Sequence, residues 1–150
     1  MLERMIERAV RIRILGASAD AVAAFLRFLY CPREATAGEW GQAAMAAQGP
    51  ALLALAHAHR VPWLKRRAED ALAARLTAER AVDALKLAGL CDAPRLYLRC
   101  ARLAGKDLAT VEMSEGWRFA ARHDPALQLD LLRLLHDADQ VRRARAISLI

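Results

Sequence analysis

The sequence predicts a mainly all-α protein, a helical array with one short orphan β-strand near the N-terminus. Three observations carry this. Apolar residues recur at helical spacing along most of the chain, as in Leu96, Cys100, Leu103 and Ala104. The stripes are separated by helix punctuation, at Pro32, Pro62, Asp92-Ala-Pro94 and Asp124-Pro125. Only the stretch from Val10 to Ile14 alternates apolar and basic residues in the manner of a strand.

Taken in order, Met1 to Arg8 reads as the tail of a helix, with Leu2, Met5 and Ile6 on one face. The strand Val10–Leu15 follows and has no second strand of similar quality. A lone strand cannot satisfy its own backbone groups, so its partners are expected outside this chain. Gly16-Ala-Ser18 turns the chain. Asp20 to Tyr30 is a helix with Val22, Phe25, Leu26 and Leu29 inward, ended by Pro32. Gly38, Gly41 and Gly49 oppose one long helix over Arg33 to Gly49, whereas the alanines favour helical pieces, so this span is expected as a loop with a short helix.

Pro50 to His59 is expected as a buried helix through Leu52, Leu53, Leu55 and Ala56. The next helix opens at Val61-Pro-Trp-Leu64 and runs to about Leu76. Thr77 is placed to cap a helix from Ala78 to Leu90, with Val82 and Leu85 inward. Asp92 is placed as the cap of the following helix, with Pro94 in its first turn, where donors are unpaired anyway. A short helix surrounds Trp117 and Phe119. Asp124-Pro125 then opens a last helix, through Leu127, Leu131, Leu134, Leu135 and Ala138 toward Arg145. Short helices with brief turns imply antiparallel neighbours. Tyr30 and Trp63 are expected in the core, and Trp40 stands in the ambiguous span, where it is either core or an exposed interface residue.

The bulk numbers bound the class. A chain of 150 residues makes one domain or two small ones, with a soft boundary at Leu76–Thr77. Hydrophobic residues form 56% of it, enough for a core, although much of that fraction is Ala. The net charge of +6 permits contact with nucleic acid or an anionic membrane. The charge is scattered, however, and each segment is read as carrying Asp or Glu as well, so neither a nucleic acid nor a membrane partner is expected. Cys31, Cys91 and Cys100 lack CxxC spacing and read as reduced thiols rather than a zinc or disulfide framework.

Catalytic and cofactor patterns are missing from the wording. His57 and His59 stand two apart on a helix and point to different sides, so they cannot chelate one ion. His123 and His136 stand alone. Ser18, Ser114 and Ser148 are the serines, and none sits in a nucleophile elbow. No Gly-rich loop joins a strand to a helix. Glu69-Asp70 and Asp137/Asp139 read as exposed, solvated carboxylates. An enzyme is therefore the weakest class, and no catalytic residue, cofactor or metal site is expected. Arg142, Arg143 and Arg145 form a basic tail. It either complements a helix C-terminus or begins a basic linker, a nuclear-localisation patch or a calmodulin-type target.

Several segments resemble a known family. Val10-Arg-Ile-Arg-Ile-Leu-Gly16, Asp20 to Tyr30 and Leu52 to Lys65 resemble the second half of a BTB/POZ domain. Leu76 to Leu96 resembles the BACK-type helices that follow it. Glu115-Gly-Trp-Arg-Phe119 and His123-Asp-Pro125 are similar to the wording of the plant BTB-and-TAZ proteins in particular. The resemblance implies a partial BTB/POZ domain over 1–76 and a BACK-like helical region over 77–150 ending in the basic tail.

It further implies a non-enzymatic adaptor, a substrate-recognition subunit of a cullin type 3 ubiquitin ligase that dimerises through its BTB domain and resides in nucleus and cytoplasm. The alternatives are a nuclear, transcription-associated scaffold of the calmodulin- or bromodomain-protein-binding type, and a truncated product without cullin binding. The cullin-facing positions implied are Met5, Ile6 and Glu7, with His59 and Arg60 near the same surface. The front half of the BTB domain and the Cys/His-rich TAZ domain have no counterpart in these residues. The resulting expectation is a fragment with weakened dimerisation and cullin docking.

Overall fold

A computed structural model describes residues 17–148, so the expected helix tail at 1–8 and the strand Val10–Leu15 lie outside the described residues. Among those described, the chain is all-α. It divides into two compact units, Met1–Leu72 and Ala73–Ile150.

In the first unit, α1 spans Ala19–Tyr30, α2 Pro32–Ala37, α3 Glu39–Ala58 and α4 Pro62–Ala74, the last running just past the boundary. Ser18 caps α1 by accepting the Ala21 N–H at 3.1 Å. The buried seam of α1 is Ala21, Val22, Ala24, Phe25 and Phe28. This is rotated from the predicted stripe: Leu29 is 37% exposed, and Phe28 takes the inward place because its ring packs on Trp40 of α3, centroids 5.2 Å apart. Tyr30 lies about 200° round the helix from Phe28. It is 54% exposed instead of in the core. Trp63 is also more exposed than predicted, because Leu64 and Ala68, one turn apart, hold the inward positions of α4.

The span Arg33–Gly49 is almost wholly helical rather than a loop. Its glycines permit close packing. Gly41 passes the Ala35 carbonyl so tightly that a Cβ would collide with it, and a Cβ on Gly49 would meet Leu72 Cδ2 at 3.1 Å. Only Gly38, in extended backbone, separates α2 from α3. Pro50 does not begin a helix. It follows a kink at Gln48 (φ −125°, ψ 16°) inside the 20-residue α3. Leu52, Leu53, Leu55 and Ala56 are buried as predicted. Arg67 Nη2 donates to the Thr36 carbonyl at 2.8 Å, tying α4 to the end of α2. Glu69, expected in solvent, is 4% exposed, because it follows Ala68 on the inward half of α4.

In the second unit a 3-10 turn at Ala78–Arg80 leads into α5, Ala81–Leu90. There follow α6, Pro94–Lys106, α7, Leu108–Met113, α8, Glu115–His123, and α9, Pro125–Ser148. The Thr77 hydroxyl caps nothing; its carbonyl accepts the Arg80 N–H at 3.1 Å, so the first turn winds as 3-10. Val82 and Leu85 of α5 and Leu96, Cys100 and Ala104 of α6 are buried, the predicted stripes, with Leu103 at their margin. The connection between these two helices differs from the prediction. Asp92 does not cap α6, whose N-cap is Ala93 without a side-chain bond. Asp92 adopts φ 49° and closes α5 instead, with the Ala93 N–H bonded to the Ala88 carbonyl at 2.9 Å. This is the six-to-one bond of a Schellman ending.

The first unit repeats the device. Arg60 has φ 55°, the Val61 N–H bonds the Ala56 carbonyl at 2.9 Å, and Pro62 opens the next helix. The residue before each left-handed position, His59 and Cys91, has the same φ −98° and ψ 6°.

Beyond α6, Asp107 and Ser114 cap two short helices. Asp107 Oδ1 accepts from Thr110 Oγ1 at 2.8 Å, and the Ser114 hydroxyl accepts the Trp117 N–H at 3.3 Å while donating to the Val111 carbonyl at 2.6 Å. Pro125 begins α9 as predicted, and the Asp124 carbonyl accepts the Leu127 N–H at 3.1 Å. Gln128 Nε2 fastens α9 to the Trp117 carbonyl at 2.8 Å. Leu131 is the buried residue of α9, with Leu127, Leu134 and Leu135 half-buried and Ala138 exposed.

Candidate interaction surfaces

The predicted cullin-facing residues are not all within view. Met5, Ile6 and Glu7 lie outside the described residues. His59 and Arg60 are neighbours at the exposed end of α3, where the left-handed turn at Arg60 presents them together. The His59 ring leans on Phe25, centroids 5.5 Å apart, so it is held by packing while its edge stays wet. Arg142, Arg143 and Arg145 stand exposed on the last turns of α9, with Arg143 paired to Asp139 at 3.4 Å.

His57 sits half-buried in the last turn of α3, and the His123 ring packs on Phe119 at 4.4 Å. Among the described residues no three or more His, Cys, Asp or Glu stand together so as to hold a metal ion, and no helix is long and apolar enough to cross a membrane. Cys31 is exposed, and Cys91 and Cys100 are buried. Burial pushes the Cys100 thiol up to about 12, with a backbone hydrogen bond acting in the opposite direction. That sulfur stays protonated at neutral pH and is a poor nucleophile. Tyr97 is likewise raised, first by desolvation and then by the Asp130 carboxylate.

Three features escaped the sequence reading. In the first unit the Arg27 guanidinium lies 4.1 Å over the half-buried Trp40 ring, which Phe28 supports from α1. Trp40 is thus part of a packed aromatic corner. In the second unit a groove is lined by Glu79, Arg80, Asp83, Thr110, Ser114 and Gly116, among others, and its floor is tight. A Cβ on Gly116 would meet the Asp83 carboxylate at 2.9 Å.

The third is a basic groove lined by Ala73, Leu76, Arg99, Arg102, Leu103 and Lys106. The expectation that each segment balances its cations with acid fails here: α6 carries Arg95, Arg99, Arg102 and Lys106 and no carboxylate. The spacing of those four residues at helical period was the available signal, and the chain-wide charge count concealed it.

The chain is 47% identical over 128 residues to BTB/POZ and TAZ domain-containing protein 1 of Arabidopsis thaliana, covering 85% of this chain and 33% of that protein. It is 42% identical over 134 residues to BTB/POZ and TAZ domain-containing protein 2 of the same plant, covering 89% and 35%. The chain belongs to the BTB/POZ and TAZ domain-containing protein family. A more distant member, BTB/POZ and TAZ domain-containing protein 5, is 38% identical over 123 residues. The chain spans about a third of the length of these curated relatives. No family model matches it.

For a member of this family, the described residues supply helical surfaces. His59 and Arg60 occupy one corner of the first unit, the row on α6 one flank of the second, and the basic tail the end of α9.

Proposed function

We propose that this chain is a protein–protein interaction adaptor, part of a substrate-recognition subunit of a cullin type 3 ubiquitin ligase. The observation that carries the reading is the likeness to BTB/POZ and TAZ domain-containing proteins over 85% and 89% of the chain. On this reading residues 1–76 are the C-terminal half of a BTB/POZ domain and 77–150 a BACK-like helical region. Met5, Ile6 and Glu7, with His59 and Arg60, face the cullin; a second BTB domain is the dimer partner; nucleus and cytoplasm are the sites of action.

A helix end that stays exposed yet fixed in position suits docking, because little side-chain order is lost on binding. His59 and Arg60 have that character, one ring packed on Phe25 and one residue set by a left-handed turn. The basic tail supports a second reading, a nuclear, transcription-associated scaffold, since Arg142 and Arg145 are exposed beside the paired Arg143.

The test is calorimetric titration with the N-terminal domain of a type 3 cullin, using the chain alone and the chain joined to a complete BTB half. Binding by the joined form, weaker for the chain alone, is the expected result. The Ile6→Asp and Arg60→Glu variants of the joined form should each lose about tenfold in affinity, the scale of one interface residue. Absence of heat for the joined form would remove the ligase reading and leave the scaffold.

A further inference from the structure

Helix α6 is one-sided in charge. Arg95, Arg99, Arg102 and Lys106 follow one another at four, three and four residues, the spacing of a single stripe along a helix. Its 13 residues include no carboxylate of their own. Arg99, Arg102 and Lys106 are exposed, and among the described residues their side chains make no hydrogen bond, ion pair or ring contact. The same three line the groove whose remaining walls are Ala73, Leu76 and Leu103. Like charges placed along one helix flank repel one another, which costs stability unless something anionic comes between them. The row from Arg99 to Lys106 rises about 10 Å along the helix, a length that three or four extended residues of another chain would cover.

We propose that this groove of the second unit docks a short acidic segment of a partner protein, anchored by an apolar side chain seated on Leu76 and Leu103. Charge complementarity selects the acidic residues, and the half-buried leucine floor selects the apolar one. Nucleic acid fits less well. No aromatic ring lines the groove for bases to stack on, and a recessed apolar floor gives a phosphate chain nothing. The inference deepens the adaptor reading by naming a class of partner, and it rests on that reading only for the role such a partner would play.

The experiment is fluorescence anisotropy with the full chain and a fluorescein-labelled peptide of Asp and Glu flanking a central Leu. Companion probes are the same peptide with Asn and Gln for the acids, the same peptide with Ser for Leu, and a single-stranded oligonucleotide. The paired change Arg99→Glu with Arg102→Glu should weaken the acidic peptide by about tenfold or more, since two attractions become repulsions. Reversing Arg142 and Arg143 to Glu makes the same change in net charge and should alter binding by no more than about twofold, because neither residue lines the groove.

Both the amide and the Ser probes should bind more weakly than the acidic parent. Circular dichroism checks that both variants keep their helices. Equal losses from the two reversals would reduce the effect to bulk charge and overturn the proposal. So would undetectable binding of the acidic peptide, or an oligonucleotide that binds more tightly through Arg99 and Arg102. A chain that binds the peptide but no cullin keeps the groove and loses the ligase; one that binds a cullin but not the peptide does the reverse.

Discussion

Arg60 and Asp92 are the described non-glycine residues with positive φ, at 55° and 49°, and both occupy the position after a helix where glycine is usual. Each turn is held by its six-to-one hydrogen bond and by the proline-opened helix beyond it. The side chains still carry the left-handed penalty of about 1–2 kcal/mol, partly relieved for Asp, whose short polar group tolerates this conformation. Arg60→Gly should therefore stabilise the chain by about 0.5–1 kcal/mol once the greater freedom of glycine in the unfolded state is deducted. Asp92→Gly should gain less, and Arg60→Ala nothing of this kind, since its Cβ remains. Urea unfolding of the three variants, compared at constant slope, measures this order. A loss of stability on Arg60→Gly would show that the arginine is retained for a contact rather than tolerated.

At the scale of elements, the corner between α2 and α3 depends on one missing Cβ. Gly41→Ala would drive a methyl into the Ala35 carbonyl, a backbone atom that cannot swing aside, and should destabilise the chain by about 2–3 kcal/mol, typical of overpacking. Gly89→Ala, a glycine whose Cβ would meet nothing within 4 Å, should instead gain up to about 1 kcal/mol of helix propensity. Thermal unfolding of both variants is the check, and similar effects of like sign would refute the close approach at Gly41.

The same contrast explains what the sequence made legible. Helices whose ends are marked locally could be read, so α5 and α6 stand where the Asp92-Ala-Pro94 punctuation put them, with Val82, Leu85, Leu96, Cys100 and Ala104 inward. Arg33–Gly49 could not, because intrinsic propensity scores a glycine as a cost, whereas Gly41 and Gly49 are points of contact between separate helices. The inward turn of Phe28 in place of Leu29 likewise depends on Trp40, which no local pattern reveals. Of the candidate surfaces, the basic tail was plain as a cluster, but the α6 row is spread over 12 residues and disappears in a chain-wide balance.

For the whole molecule, stability is unevenly distributed, and the two units give it a testable outline. Within α9 the buried anchor is Leu131, and from His136 to Ser148 every residue is exposed. A helix of that length without packing is marginal in water. Its Arg143–Asp139 pair, with side chains 72% and 59% exposed, adds little under screening. Arg75 is exposed and lies outside helix, between the end of α4 at Ala74 and the 3-10 turn at Ala78. Arg99 and Arg102, although exposed as side chains, sit on a helix whose inner face is Leu96, Cys100 and Ala104, so cutting there requires α6 to leave the core.

Brief trypsin treatment should accordingly cleave first at Arg142, Arg143 or Arg145 and then at Arg75. Mass spectrometry should find a piece that begins at Leu76 and ends in the basic tail and that survives while the earlier cuts go to completion. Cleavage at Arg99 or Arg102 as fast as at Arg142 would mean that α6 opens as readily as the tail. The basic row would then lack the fixed geometry that docking an acidic segment requires, so the order of these cuts bears on the partner surface as directly as on the fold.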